Sequence, residues 1–134
     1  MPIILSSLDK AITSLDKAVK RSVLNPDDEE VRDAVIQRFE YTYELCVKLL
    51  KRRLESDAAS IEEIDSLSFR DLIRLGAEKG FIEQVEIWFA YREQRNRTVH
   101  IYDEKMALEV YQAVLKFVTD AKLLLEKLLI GNHD

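Results

Sequence analysis

Glycine, proline and cysteine are scarce in this chain: three, two and one among 134 residues. With charged residues at 34% of the chain, few glycines and prolines are what long solvent-exposed helices show. The single cysteine, Cys46, cannot close an intrachain disulfide and suits a reducing, cytoplasmic setting. One cysteine and one internal histidine cannot fill the four positions of a structural zinc site, so no metal is expected. Gly76, Gly80 and Gly131 do not form a phosphate-cradling loop, so no bound nucleotide cofactor is expected and nucleotide transfer would have to come from another polypeptide. No apolar run approaches the length of a membrane span, and MPIIL is too short for a signal peptide. A basic excess is also missing. Twenty-five acidic residues against 20 lysines and arginines give a net charge of -5, which confines any RNA contact to a local patch.

What the chain has is helical periodicity, over a length that makes one domain with a real core, residues 1–134. Leu5, Leu8, Ile12, Leu15 and Val19 repeat at three and four, which predicts a first helix to about Leu24. Asn25-Pro26-Asp27 ends it and starts the next, whose apolar face runs through Val31, Val35, Phe39, Tyr43, Cys46 and Leu50 to about Leu54. Ser56 to Ser66 loses the period and reads as a loop with room for one helical turn. A short third helix is framed by Ser68, three residues before Asp71 as in a capping box, and by Gly80 at its end. The fourth covers about Glu83 to Arg97. The fifth starts after Asp103, a good N-cap, and carries Met106, Val110, Val114, Phe117, Ala121, Leu124 and Leu128 to a stop at Gly131. The expected fold is all-α, an antiparallel up-and-down bundle of about five helices.

Chemistry concentrates in RNRTVHIYDE, Arg95 to Glu104. A histidine side chain can exchange protons near neutral pH, and an arginine fork can hold phosphate oxygens and oppose charge that builds on them. The other histidine, His133, falls in a terminal tail expected to fray. Five residues of straight helix turn through about 500°, which would point Arg95 and His100 roughly 140° apart. They converge only where the helix ends between them or a second chain supplies one partner. β-Branched Thr98 and Val99 favour the break, with Arg95 in the last helical turn and His100 to Tyr102 in the connection.

Each residue also has an ordinary reading. His100 can bond a neighbouring carboxylate such as Asp103, Arg95 and Asn96 can be plain helix-end residues, and Tyr102 can be a half-buried aromatic with a wet hydroxyl. Glu40 and Glu44 lie one turn apart on the second helix, and Glu44 has Lys48 four residues on as a pairing partner. Lys48, Lys51, Arg52 and Arg53 read as a solvated, basic helix end.

Arg95-Asn96, three residues, His100, one residue, Tyr102-Asp103-Glu104 resembles the motif of the HEPN superfamily, in particular its nucleotidyltransferase substrate-binding branch. The likeness extends to Arg38–Leu45 and Ser68–Leu72 and covers roughly Asp28 to Leu129. It implies a helical domain that pairs into a symmetric homodimer and works with a minimal nucleotidyltransferase. In toxin members it implies metal-independent RNA cleavage, with Arg95 and His100 catalytic, Asn96 and Glu40 on the substrate, and Tyr102 as an acceptor of AMP from the partner enzyme. The resemblance leaves two other readings open: a subunit that binds nucleotide or substrate without cleaving it, and a helical scaffold that works through its dimer face.

Overall fold

The computed structural model describes residues 2–132, so His133 lies outside the described residues. Among them are six α-helices and no strand: α1 (Ser6–Leu24), α2 (Glu29–Asp57), α3 (Ile61–Asp65), α4 (Phe69–Glu78), α5 (Val85–Arg97) and α6 (Glu104–Leu129), with a single 3-10 turn at Thr98–His100. The helix beyond the expected five is α3, the turn of the unpatterned segment after α2. Ile64, 4% exposed, pins it to the core, and Lys51 reaches Asp65 at 3.0 Å.

Local chemistry sets the boundaries. Asn25 caps α1 by donating its side-chain amide to the Arg21 carbonyl at 2.9 Å. Asp28, rather than Asp27, then accepts from the Glu30 and Val31 N–H groups. At α4 only half of the capping box forms. Ser68 Oγ accepts from the Asp71 N–H at 3.2 Å, while the Asp71 carboxylate, one methylene shorter than the usual glutamate, holds Arg74 instead. Gly80, at φ +89°, closes α4 in the left-handed region, and the chain returns so that Phe81 N–H donates to the Gly76 carbonyl at 2.8 Å.

The core gathers around Phe117 of α6, which has no solvent exposure. Phe39 of α2 and Tyr91 of α5 meet its ring edge-on, each at 5.0 Å, and Trp88 meets it at 5.9 Å. Three helices are locked by one ring. Tyr91 also donates a hydrogen bond to Asp120 on the rim of this cluster.

Ties at both ends fix the helix directions. Arg32 near the start of α2 pairs with Glu104 at the start of α6. Arg53 near the end of α2 donates to the carbonyls of Leu128 and Ile130, at 2.8 and 2.9 Å. Thus α2 and α6 run parallel, while sequence-adjacent long helices alternate. Arg53 is therefore a cap on α6, stacked 5.1 Å from the Phe81 ring centre, and not part of a solvated basic end. The Asn132 side chain bonds both backbone groups of Ile3, at 2.8 and 2.9 Å, and so ties the segment before α1 to the segment after α6.

Candidate functional site

Trp88 and Tyr91 bury one face of α5 against Phe117, and that anchoring sets the rotation of the helix. Arg95, one turn beyond Tyr91, consequently faces α2. Its Nε donates to Glu44 Oε1 at 3.0 Å and its Nη1 to Thr98 Oγ1 at 3.3 Å. The remaining Nη2 has no hydrogen-bond partner among the described residues. Arg97, two residues on, projects the other way and holds Glu109 of α6 at 2.7 Å.

The helix breaks where the β-branched pair stands. Thr98 turns its hydroxyl back to the Arg95 carbonyl at 2.7 Å, and the chain tightens into the 3-10 turn Thr98–His100. Ile101 then extends, half-buried against the core, so it pins the connection between two exposed side chains, His100 and Tyr102. Asp103 closes the segment as the N-cap of α6, accepting from the Met106 N–H at 2.8 Å. Arg95 thus occupies the last turn of α5 and His100 the connection.

No hydrogen bond links Arg95 to His100. The imidazole meets Tyr102 instead: Nδ1 and the phenolic oxygen are 3.0 Å apart. Tyr102 is 82% exposed, so this contact lies in the open, and His100 Nε2 has no hydrogen-bond partner among the described residues. Asp103 caps α6, and no hydrogen bond or ion pair joins it to His100. Asn96 is exposed and its side chain makes no hydrogen bond among the described residues.

Glu40 is half-buried on α2 and forms no ion pair among the described residues; the carboxylate that meets Arg95 is Glu44, one turn further. Sequence reasoning missed that role because Lys48, four residues from Glu44, offered a local partner. The rotation of α2, set by buried Phe39, Tyr43, Cys46 and Leu50, brings Glu44 toward α5 instead. Behind this pair the Tyr43 hydroxyl is buried with no partner. Burial pushes its pKa up, and burial does the same to the Cys46 thiol. No group of three or more His, Cys, Asp or Glu side chains converges as a metal site among the described residues.

The site is therefore an exposed imidazole and a half-anchored guanidinium on the two sides of a helix break. The model of the family described as "Nucleotidyltransferase substrate binding protein like" matches residues 4–130. The chain belongs to that family. A relative named "Probable ribonuclease HepT", from Haemophilus influenzae, is 36% identical over 132 residues, which cover 92% of this chain and 90% of the relative. A solved H. influenzae structure, described as revealing the fold of a substrate binding domain of a nucleotidyltransferase, superposes with a TM-score of 0.88 at 33% identity. It covers 94% of this chain and 99% of its own. A Thermus thermophilus crystal structure matches with a TM-score of 0.76 at 28% identity, over 90% of this chain and 98% of that one. The family match spans all six helices, so the HEPN resemblance extends well beyond the motif. Among the described residues of this family member, no helix is long and apolar enough to cross a membrane.

Proposed function

We propose that this chain is the RNA-cleaving HEPN component of a two-protein module, with a small nucleotidyltransferase as its partner. The observation that carries the reading is the helix break. It frees His100 from the face of α5 while Arg95 stays anchored to it, so the roughly 140° splay that a straight helix would impose on the two does not apply. The name of the H. influenzae relative supports the same reading.

In the proposed reaction the ribose 2′-hydroxyl attacks the adjacent phosphorus and the 5′-oxygen departs, leaving a 2′,3′-cyclic phosphate. His100 removes the attacking proton or supplies one to the leaving oxygen, a role worth about 10²–10⁴ in rate. Arg95 offers its free Nη2 edge to the phosphate oxygens as charge gathers on them. Asn96, exposed on the same last turn, orients the nucleotide. One imidazole serves one of the two proton transfers. A second copy of the chain would supply the other, and a homodimer is part of this proposal. Exposed Val99 and Leu108 near the motif, 64% and 44% exposed, support a self-association face there.

Control by the partner is assigned to Tyr102. Its hydroxyl already touches His100, so an AMP group on that oxygen would place a phosphate against the imidazole and within the field of Arg95. Silencing follows without unfolding either helix.

The test is RNA cleavage by purified protein in EDTA, with analysis of the ends. Wild type should yield cyclic phosphate, and His100→Ala should abolish cleavage with unchanged helical content, because an exposed connection residue adds little to the core. Wild-type protein that is free of partner and AMP, yet cuts no cellular RNA, would overturn this reading. The alternative is then a non-catalytic subunit that holds a nucleotide or substrate for the transferase. The description of the solved H. influenzae relative favours that alternative, as does the hold of Glu44 on Arg95.

A further inference from the structure

The motif leaves a second cluster of cations and rings unused, on the face shared by α4 and α5. The Arg70 guanidinium carbon lies 4.4 Å from the centre of the Phe89 ring, and that of Arg74 lies 5.6 Å from the same ring. Arg92 covers Phe69 at 4.3 Å. The two rings are tilted against each other with centres 6.2 Å apart, so a pair of rings is flanked by guanidinium groups from both helices. Phe69 and Phe89 are half-buried, whereas all three arginines are exposed.

Half of the ten arginines are ion-paired among the described residues: Arg32, Arg53, Arg95 and Arg97 each hold a carboxylate, and in this cluster Arg74 holds Asp71. Arg70 and Arg92 hold none among the described residues, in a chain with five more acidic than basic side chains. Each guanidinium carbon sits over a ring of the other helix, and neither side chain makes a hydrogen bond among the described residues.

The cluster is continuous with the motif. Arg92 stands about one turn before Arg95 and Asn96 on α5. From Phe89 to Thr98 the helix axis rises about 13 Å, enough for a short run of nucleotides.

A guanidinium lying flat on a ring presents its other face to a nucleobase and its edges to phosphate oxygens; single-stranded nucleic acid needs both, an acidic peptide only the edges. We propose that Phe69, Arg70, Phe89 and Arg92 form a landing track for single-stranded RNA, which stacks its bases there and leads the scissile phosphate to Arg95 and His100. The track rests on the RNA-cleaving reading, because that reading supplies the reason for RNA to approach this face. It also reconciles an acidic chain with a nucleic-acid substrate, since the attraction is local.

The test uses full-length His100→Ala protein, which leaves RNA intact, and a fluorescent oligouridylate followed by anisotropy across a salt series. Adding Arg70→Gln and Arg92→Gln together should weaken binding about tenfold and flatten the salt dependence by roughly 0.7 for each phosphate no longer neutralised. Arg92→Lys keeps the charge and loses the plane, so it should weaken binding while leaving the salt slope in place. In the background with His100 intact, the double variant should raise KM and leave kcat nearly unchanged. Unaltered oligouridylate affinity in the double variant would overturn the track. So would a double variant that turns monomeric by light scattering, or one that loses only its affinity for the nucleotidyltransferase, because the face would then belong to a protein. The two readings fail separately. Wild type that binds RNA through these arginines without cutting it removes the cleavage reading and keeps the track. Wild type that cuts at the same KM with or without them removes the track and keeps cleavage.

Discussion

Arg95 donates its Nε to Glu44, 3.0 Å away on another helix, so the cation of the motif is already shared with a carboxylate. Glu44 is 61% exposed at its side chain, and a pair of that kind adds at most about 1 kcal/mol to stability. Its larger effect is on ligands, because an incoming phosphate has to compete with Glu44 or settle for the free Nη2 edge.

Glu44→Gln should therefore leave the melting temperature nearly unchanged and tighten oligonucleotide binding several-fold, with a steeper salt dependence. Anisotropy titrations on the His100→Ala background would measure both. Weaker binding would mean that Glu44 acts chiefly by aiming the guanidinium.

Tyr102→Phe should block AMP transfer by a cognate nucleotidyltransferase and keep the fold, because the 82% exposed ring contributes little packing. Intact mass after incubation with ATP and magnesium decides it. An equal AMP increment on wild type and the Phe variant, or none on wild type, would exclude Tyr102 as the acceptor.

The same substitution should have opposite consequences at two buried tyrosines. Tyr43 has a buried hydroxyl with no partner, so Tyr43→Phe should leave stability unchanged or raise it by up to about 1 kcal/mol. Tyr91 donates to Asp120, and Tyr91→Phe should cost about 1.5–3 kcal/mol by removing a charge-assisted bond and stranding the carboxylate. Paired urea melts would read the two signs directly.

Asp16 ties α1 to α6 through Lys122 at 3.3 Å and also holds Lys20 at 3.0 Å. Burial opposes its ionisation, but the hydrogen bonds and charges of the two lysines outweigh burial and hold its carboxyl below the ordinary value of 3.8. A depressed folded-state pKa means the unfolded chain binds the proton more readily, so this contribution is present above about pH 4 and fades as pH falls below it. The stability gap between wild type and Asp16→Asn should be flat from pH 7 to 5 and narrow toward pH 3, as urea midpoints would show.

Much of this molecule was legible in its residues. The three-and-four repeats predicted the long helices, and Asp103 and Gly80 marked a start and an end, because caps and apolar stripes are local signals. The break between Arg95 and His100 was readable from Thr98 and Val99 for the same reason. Arg53 reads as one cation in a basic run until α6 arrives with open carbonyls. Glu44 has two nearby candidates, Lys48 and Arg95, and the rotation of two packed helices chooses between them. The stacking of Arg70 and Arg92 on rings of the opposite helix has no signature in sequence spacing at all.

The clasp between Ile3 and Asn132 has a practical consequence. It holds the segment before α1 against the segment after α6, at the corner where α6 finishes, while the motif lies where α6 begins, 26 residues and about 39 Å away. An affinity tag or a covalently linked transferase joined near Ile3 or Asn132 therefore sits away from the reactive end. The two segments are also close enough for a short peptide to bridge Ile3 and Asn132, which suits the domain to circular permutation, with the new opening in the loop between α3 and α4.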